Sequence, residues 1–232
     1  MPDRASSDLE GYEDTYREAV SESIAFSGAD LDLFTRIKAD LLVDLVRGVG
    51  EPERLAFLDV GCGPGETDSF LEGRVGSLAG VDVVPGMVKR AGERNPWAEY
   101  RVYGEGEPIP CDDGAFDVCF AICVLHHVLR EQRAVLVTEM KRVCRPGGLI
   151  ALFEHNPLNP LTRKAVHGCE FDRDAELLGR REALDLLRTA GLAPRHRYIE
   201  FFPRDSGLLR MIEARLGWLP LGAQYVVFAQ RP

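Results

Sequence analysis

Apolar positions recur along this chain with two periods, one helical and one extended, almost from end to end. In LDLFTRIKADLLVDLVRGV (31–49) they return every three to four residues, which predicts a helix with Leu33, Ile37, Leu41, Leu42 and Leu45 on one face. RLAFLDV (54–60) is a short apolar run closed by glycine, the pattern of a buried strand. Further strands are predicted at 77–84, 98–104, 115–125, 149–155, 195–202 and 223–230. Helices are predicted from Pro85 to Ala91, over 131–144 and near 180–190, and Gly147-Gly148 forms the turn into the fifth strand. Apolar strands separated by helices imply a doubly wound α/β sheet, mostly parallel and covered on both faces. Two Pro/Gly-punctuated segments, 156–180 and 203–222, exceed a plain crossover and read as embellishments of one domain spanning 1–232.

Composition narrows the partners. With 45% hydrophobic and 28% charged residues the chain is ordinary for a globular domain, and a net charge of −9 argues against a nucleic-acid partner. The N-terminus is acidic and lacks an apolar core, so neither a signal peptide nor an anchor is expected there, and no apolar run is long enough to span a bilayer. The cysteines at 62, 111, 119, 123, 144 and 169 form no CxxC pair and no zinc-like spacing with histidine. A reducing cytoplasm and no metal are therefore expected.

Candidate chemistry begins at FLDVGCGPGE (57–66), where three glycines follow a strand. A P-loop would need GxxxxGK[ST], and no Lys-Ser or Lys-Thr follows. The dinucleotide fingerprint GxGxxG would place its third glycine one residue later than Gly65, where Glu66 stands instead. A carboxylate there gives pyrophosphate no help.

The loop resembles the nucleoside-binding loop of the class I S-adenosylmethionine (SAM)-dependent methyltransferases. The resemblance extends through GVDVVPGMV (80–88), GEGEPIPCDDGAFD (104–117) and MKRVCRPGGLIAL (140–152), four ordered motifs covering most of 54–153. It implies a sheet ordered 3-2-1-4-5-7-6 with strand 7 antiparallel, and SAM as cofactor. Gly61, Cys62, Gly63 and Gly65 would lie against the ligand, Asp59 would receive its ammonium group, and a helix starting near Gly65 would face its carboxylate. Asp82, about 20 residues on, would take the ribose hydroxyls as a carboxylate accepting both. Val83 and Met87 would flank the adenine, and Glu105 beside Gly106 would read its amino group. Ile122 stands where amine methyltransferases carry the Asn/Asp of an Asn/Asp-Pro-Pro-Tyr element, which disfavours those amine substrates.

The methyl acceptor would sit beyond the fourth and fifth strands. His126 and His127 match an LHH element of small-molecule methyltransferases, with structural capping as the alternative role. His155, in FEHNPLNPLTR (153–163), is the best candidate for a general base, and Asn-Pro turn formation competes for its neighbours. Residues 1–30 would cover the cofactor, with Tyr12, Tyr16 and Phe26 either in the lid or packed on the surface. Lys38 either reaches the cofactor carboxylate or, the preferred reading, lies on a solvated helix face. Segment 203–222 would roof the pocket, form a homodimer face or rest on a membrane, the last disfavoured because only Arg210 and Arg215 are basic within 206–222. The expected activity is methyl transfer to oxygen or nitrogen of a small molecule, such as a natural product or sugar. An NAD-dependent oxidoreductase and a non-catalytic SAM-binding protein are the alternatives.

Overall fold

A computed structural model describes residues 15–28, 30–172, 175–204 and 206–232. Tyr12 lies outside the described residues. Helices α1 (Tyr16–Ile24) and α2 (Leu31–Val46) precede a seven-stranded sheet. Its strands are β1 (Ala56–Val60), β2 (Ser77–Asp82), β3 (Glu99–Val102), β4 (Phe116–Ile122), β5 (Cys144–His155), β6 (Arg195–Ile199) and β7 (Gln224–Gln230). Between them lie α3 (Pro85–Arg94), α4 (Arg130–Val143), α5 (Pro160–Gly168), α6 (Arg180–Thr189) and α7 (Gly207–Leu216).

The strand order is β3-β2-β1-β4-β5-β7-β6. Pairing is parallel from β3 through β5, and β7 runs antiparallel to both β5 and β6. Central strands bury both faces: Val118, Cys119, Phe120 and Ala121 of β4 are all fully covered. One core unites α4 and α6 with the sheet through Val137, Met140, Leu184, Leu187 and Tyr225. The other packs α2 onto the opposite face through Ala39, Leu42, Val46, Phe57 and Phe120. The order reverses between β1 and β4, and ligands of such sheets bind at that switch, beyond the carboxyl ends of the strands.

Several local expectations are corrected. No α-helix follows the glycine loop; only a short 3-10 turn, Asp68–Phe70, lies between β1 and β2. Gly65 and Gly73 bracket only seven residues, 66–72, about two turns on which to nucleate a helix. The buried face of α2 is Leu31, Leu33, Thr35, Lys38, Ala39, Leu42, Val43 and Val46, so Ile37, Leu41 and Leu45 are only half-buried. Lys38 is therefore not solvated. Strand β5 starts at Cys144, and Gly147 (φ 77°) lies within it.

Strand β6 stops at Ile199 because Glu200 turns to φ 61°. Its backbone N–H donates to Glu213 Oε1 at 2.6 Å, and its buried carboxylate lies 3.8 Å from Lys38 Nζ. Burial, opposed by Lys38, pushes the Glu200 carboxyl up to about 7 from an ordinary 4.5. Stability from such a group is complete below its unfolded-state pKa and is lost as pH rises through the folded value. That window runs from about 4.5 to about 7, and the loss totals about 3 kcal/mol. Urea denaturation at about pH 5 and about pH 8 should therefore show a steeper loss in the natural protein than in Glu200→Gln. Parallel curves would remove Glu200 as the source.

Candidate active site

Thirteen of the fourteen residues that the sequence offers for cofactor binding or catalysis line one cavity of about 350 Å³ at the carboxyl ends of the strands. The glycine-loop end contributes Asp59, Gly61, Cys62, Gly63, Asp82, Val83, Met87, Glu105 and Gly106. The ends of β4 and β5 contribute Ile122, His126, His127 and His155. Gly65 is the exception, because it is turned onto α3. A Cβ there would stand 2.4 Å from Asn95 Nδ2 and 3.2 Å from Ala91, at a φ of +70°. Its role is loop packing, as its carbonyl accepts from Asn95. Gly61 (φ +76°) is required for another reason: a Cβ would meet Val124 at 2.6 Å.

The two acidic strand ends differ in how they are held. Asp82 is buried, accepting from Gly63 N–H at 2.8 Å and Val84 N–H at 2.9 Å. Each oxygen keeps a further lone pair for a ligand hydroxyl. Burial raises the Asp82 carboxyl, opposed by those N–H groups and by nearby His127. Asp59 is buried against Asp68: burial and the Asp68 charge hold Asp59 well above its ordinary range, while burial raises Asp68 to about 6 against hydrogen bonds from Tyr100 and Asp59. Asp68, which sequence reading passed over, also accepts from Tyr100 O–H at 2.7 Å. Asp59 Oδ1 is buried with no hydrogen-bond donor, in a wall of the cavity. A buried acceptor so placed calls for a donor from a ligand.

The histidine end is organised by Glu154. Cys123 leaves β4 at φ 56°, and the following N–H groups of Val124 (3.1 Å) and Leu125 (2.7 Å) donate to Glu154 Oε1. Glu154 Oε2 lies 2.7 Å from His126 Nδ1. On the other side of His126, Asp172 Oδ1 is 3.6 Å from Nε2, and the same oxygen is 3.2 Å from His127 Nε2. Burial alone would depress His126, but the flanking Glu154 and Asp172 carboxylates push it up to about 10. Burial and that neighbouring charge push His155 down to about 4, leaving it a neutral proton acceptor near neutral pH. The His155 ring lies tilted by 44° beside that of His126, 5.1 Å between centroids, and approaches Gln224 through Nδ1 at 3.5 Å.

Asp172 lies in the embellishment 156–180, and no local pattern marks it. Four residues on, Glu176 ties the segment to the end of β4 and to α4: its N–H donates to His126 O at 2.9 Å, and Arg133 Nη2 donates to its carbonyl at 2.8 Å. Asn156 is structural, its side-chain amide donating to Gly222 O and Pro220 O. Tyr16, Val20, Ser23 and Ile24 of α1 also line the cavity, whereas Phe26 is partly exposed beneath Lys164 Nζ. Among the described residues, none of α7 lines it. Lys38 does line it, beside Glu200.

Residues 58–152 match the family described as methyltransferase domain. These residues carry a methyltransferase domain. Such domains take their methyl group from SAM. An uncharacterized methyltransferase of Synechocystis is 33% identical over 103 residues, 44% of this chain and 48% of that protein. The malonyl-[acyl-carrier protein] O-methyltransferase of Serratia marcescens is 29% identical over 58% of this chain and 51% of its own. The chain thus spans about half the length of these curated relatives. Among solved structures, a SAM-dependent methyltransferase of Thermotoga maritima, a possible histamine N-methyltransferase, superposes with a TM-score of 0.69. The match covers 98% of this chain and 100% of that one at 16% identity, a likeness of fold. Among the described residues, no helix is long and apolar enough to cross a membrane.

Proposed function

We propose that this methyltransferase domain transfers the methyl group of SAM to an oxygen of a small hydroxylated acceptor, such as a natural product or sugar. The observation that carries the reading is one cavity lined both by the acidic strand ends Asp59 and Asp82 and by the neutral imidazole of His155. Asp59 receives the ammonium group and Asp82 the ribose, while Val83 and Met87 flank the adenine and Glu105 its amino group. Helix α1 covers the ligand and excludes water. SAM supplies an activated methyl group, so the protein's main task is to hold the acceptor oxygen in line with it. His155 accepts the acceptor's proton as the oxygen attacks.

Thermal-shift titration should show stabilisation by SAM and none by NAD; the reverse would point to a dinucleotide oxidoreductase. Release of S-adenosylhomocysteine in the presence of a hydroxylated acceptor separates an enzyme from a SAM-binding protein without activity. His155→Ala is expected to lower kcat about 100-fold while the SAM Kd stays within about twofold. An unchanged kcat would exclude His155 as the base.

A further inference from the structure

We propose that His126, His127 and Asp172 form a divalent-cation site at the end of β4, with its open positions facing the acceptor. The proposal deepens the methyl-transfer reading of this cavity and rests on it.

Three observations carry it. First, the donors converge: Asp172 Oδ1 stands 3.2 Å from His127 Nε2 and 3.6 Å from His126 Nε2, and the three ligand atoms lie within 4.8 Å of one another. A metal–ligand distance of about 2.1 Å sets donor–donor edges of about 3.0 Å in an octahedron and about 3.4 Å in a tetrahedron. Second, His126 is oriented as a ligand would be. Its Nδ1 is engaged by Glu154, which is itself anchored by two backbone N–H groups, so Nε2 is directed to Asp172. A carboxylate behind a ligating imidazole, setting its tautomer and orientation, is the usual support of a metal centre. Third, the cluster opens on the cavity that His155 shares.

Charge agrees with geometry. Glu154 and Asp172 enclose the outer ring nitrogens of a buried imidazole, a place that calls for positive charge. A divalent ion held there supplies that charge. Two imidazoles and one carboxylate suit Zn²⁺, Mn²⁺, Co²⁺ or Fe²⁺ better than Ca²⁺ or Mg²⁺. Three protein ligands leave room for the acceptor's own oxygens. The acceptor class is then a hydroxyl beside a second oxygen, able to chelate. Coordination lowers the pKa of the hydroxyl, and its proton passes to His155. The new O–CH₃ bond forms as the S–CH₃ bond breaks, the electron pair remaining on sulfur. The products are a methyl ether, S-adenosylhomocysteine and one proton.

The test is titration of the chelator-treated full chain with Co²⁺, followed by visible absorption, and with Zn²⁺ and Mn²⁺ by calorimetry. One Co²⁺ per chain with visible d–d bands is expected. His127→Gln and Asp172→Asn should weaken binding at least tenfold, and Glu154→Gln about tenfold. All three should keep the natural SAM affinity within about twofold, which reports that they are folded. The wild-type titration needs no variant: absence of saturable binding of all three ions overturns the site. So does binding that survives unchanged in both ligand variants. SAM binding without metal uptake removes the site and leaves the methyl-transfer reading standing. Metal uptake without SAM binding removes that reading and keeps the cation site.

Discussion

Asp82→Ala should weaken SAM binding by about 100- to 1000-fold, measured by calorimetry on the folded variant. A carboxylate taking two ribose hydroxyls forms two charge-assisted hydrogen bonds, each worth about 1.5–3 kcal/mol. The substitution also leaves Gly63 N–H and Val84 N–H without their acceptor, so the glycine loop loses the bonds that shape it. Asp82→Asn separates the two effects. It keeps an oxygen for one of them but replaces the other acceptor with a donor, and about a tenfold loss is expected. An unchanged Kd for the alanine variant would remove Asp82 from the ribose site.

Arg133→Ala should destabilise the protein by about 3–5 kcal/mol, read as a lower urea midpoint. Arg133 is the largest fully buried side chain among the described residues. Its guanidinium donates to Val128 O at 3.1 Å, Glu182 Oε1 at 2.9 Å and Glu176 O at 2.8 Å. One side chain thus joins the loop after β4, the segment that carries Asp172 and the first turn of α6. Alanine leaves a buried cavity and unanswered acceptors at all three. Arg133→Lys keeps the charge but cannot reproduce the planar fork, and should recover only part of the loss. A loss below about 1 kcal/mol in the alanine variant would mean that the segment is held by other contacts.

How legible the site was depends on how close its parts lie in the chain. Asp59, the glycine loop and Asp82 belong to one β1–loop–β2 unit, so their spacing reflects their geometry. Lys38 was placed on the wrong side of α2 because the apolar stripe does not show that its face meets the end of β6, where Glu200 waits. Asp68 was missed because a helix was expected to begin near Gly65. In its place a tight turn swings Asp68 back under Asp59. Asp172 carries no local mark, since its partners His126 and His127 are more than forty residues away.

The sequence by itself determined the alternation of strands and helices, the doubly wound sheet and the family of its nucleoside loop. The alternation and the sheet follow from apolar periodicity, and the family from the resemblance carried by four ordered motifs. Only the tertiary structure decided that Glu154 and Asp172 enclose His126 and that Arg133 holds the Asp172 segment in place. It also decided that Gly65 packs on α3 instead of lining the cavity. Periodicity reports which face of an element is buried; it does not report which distant side chain is buried against it.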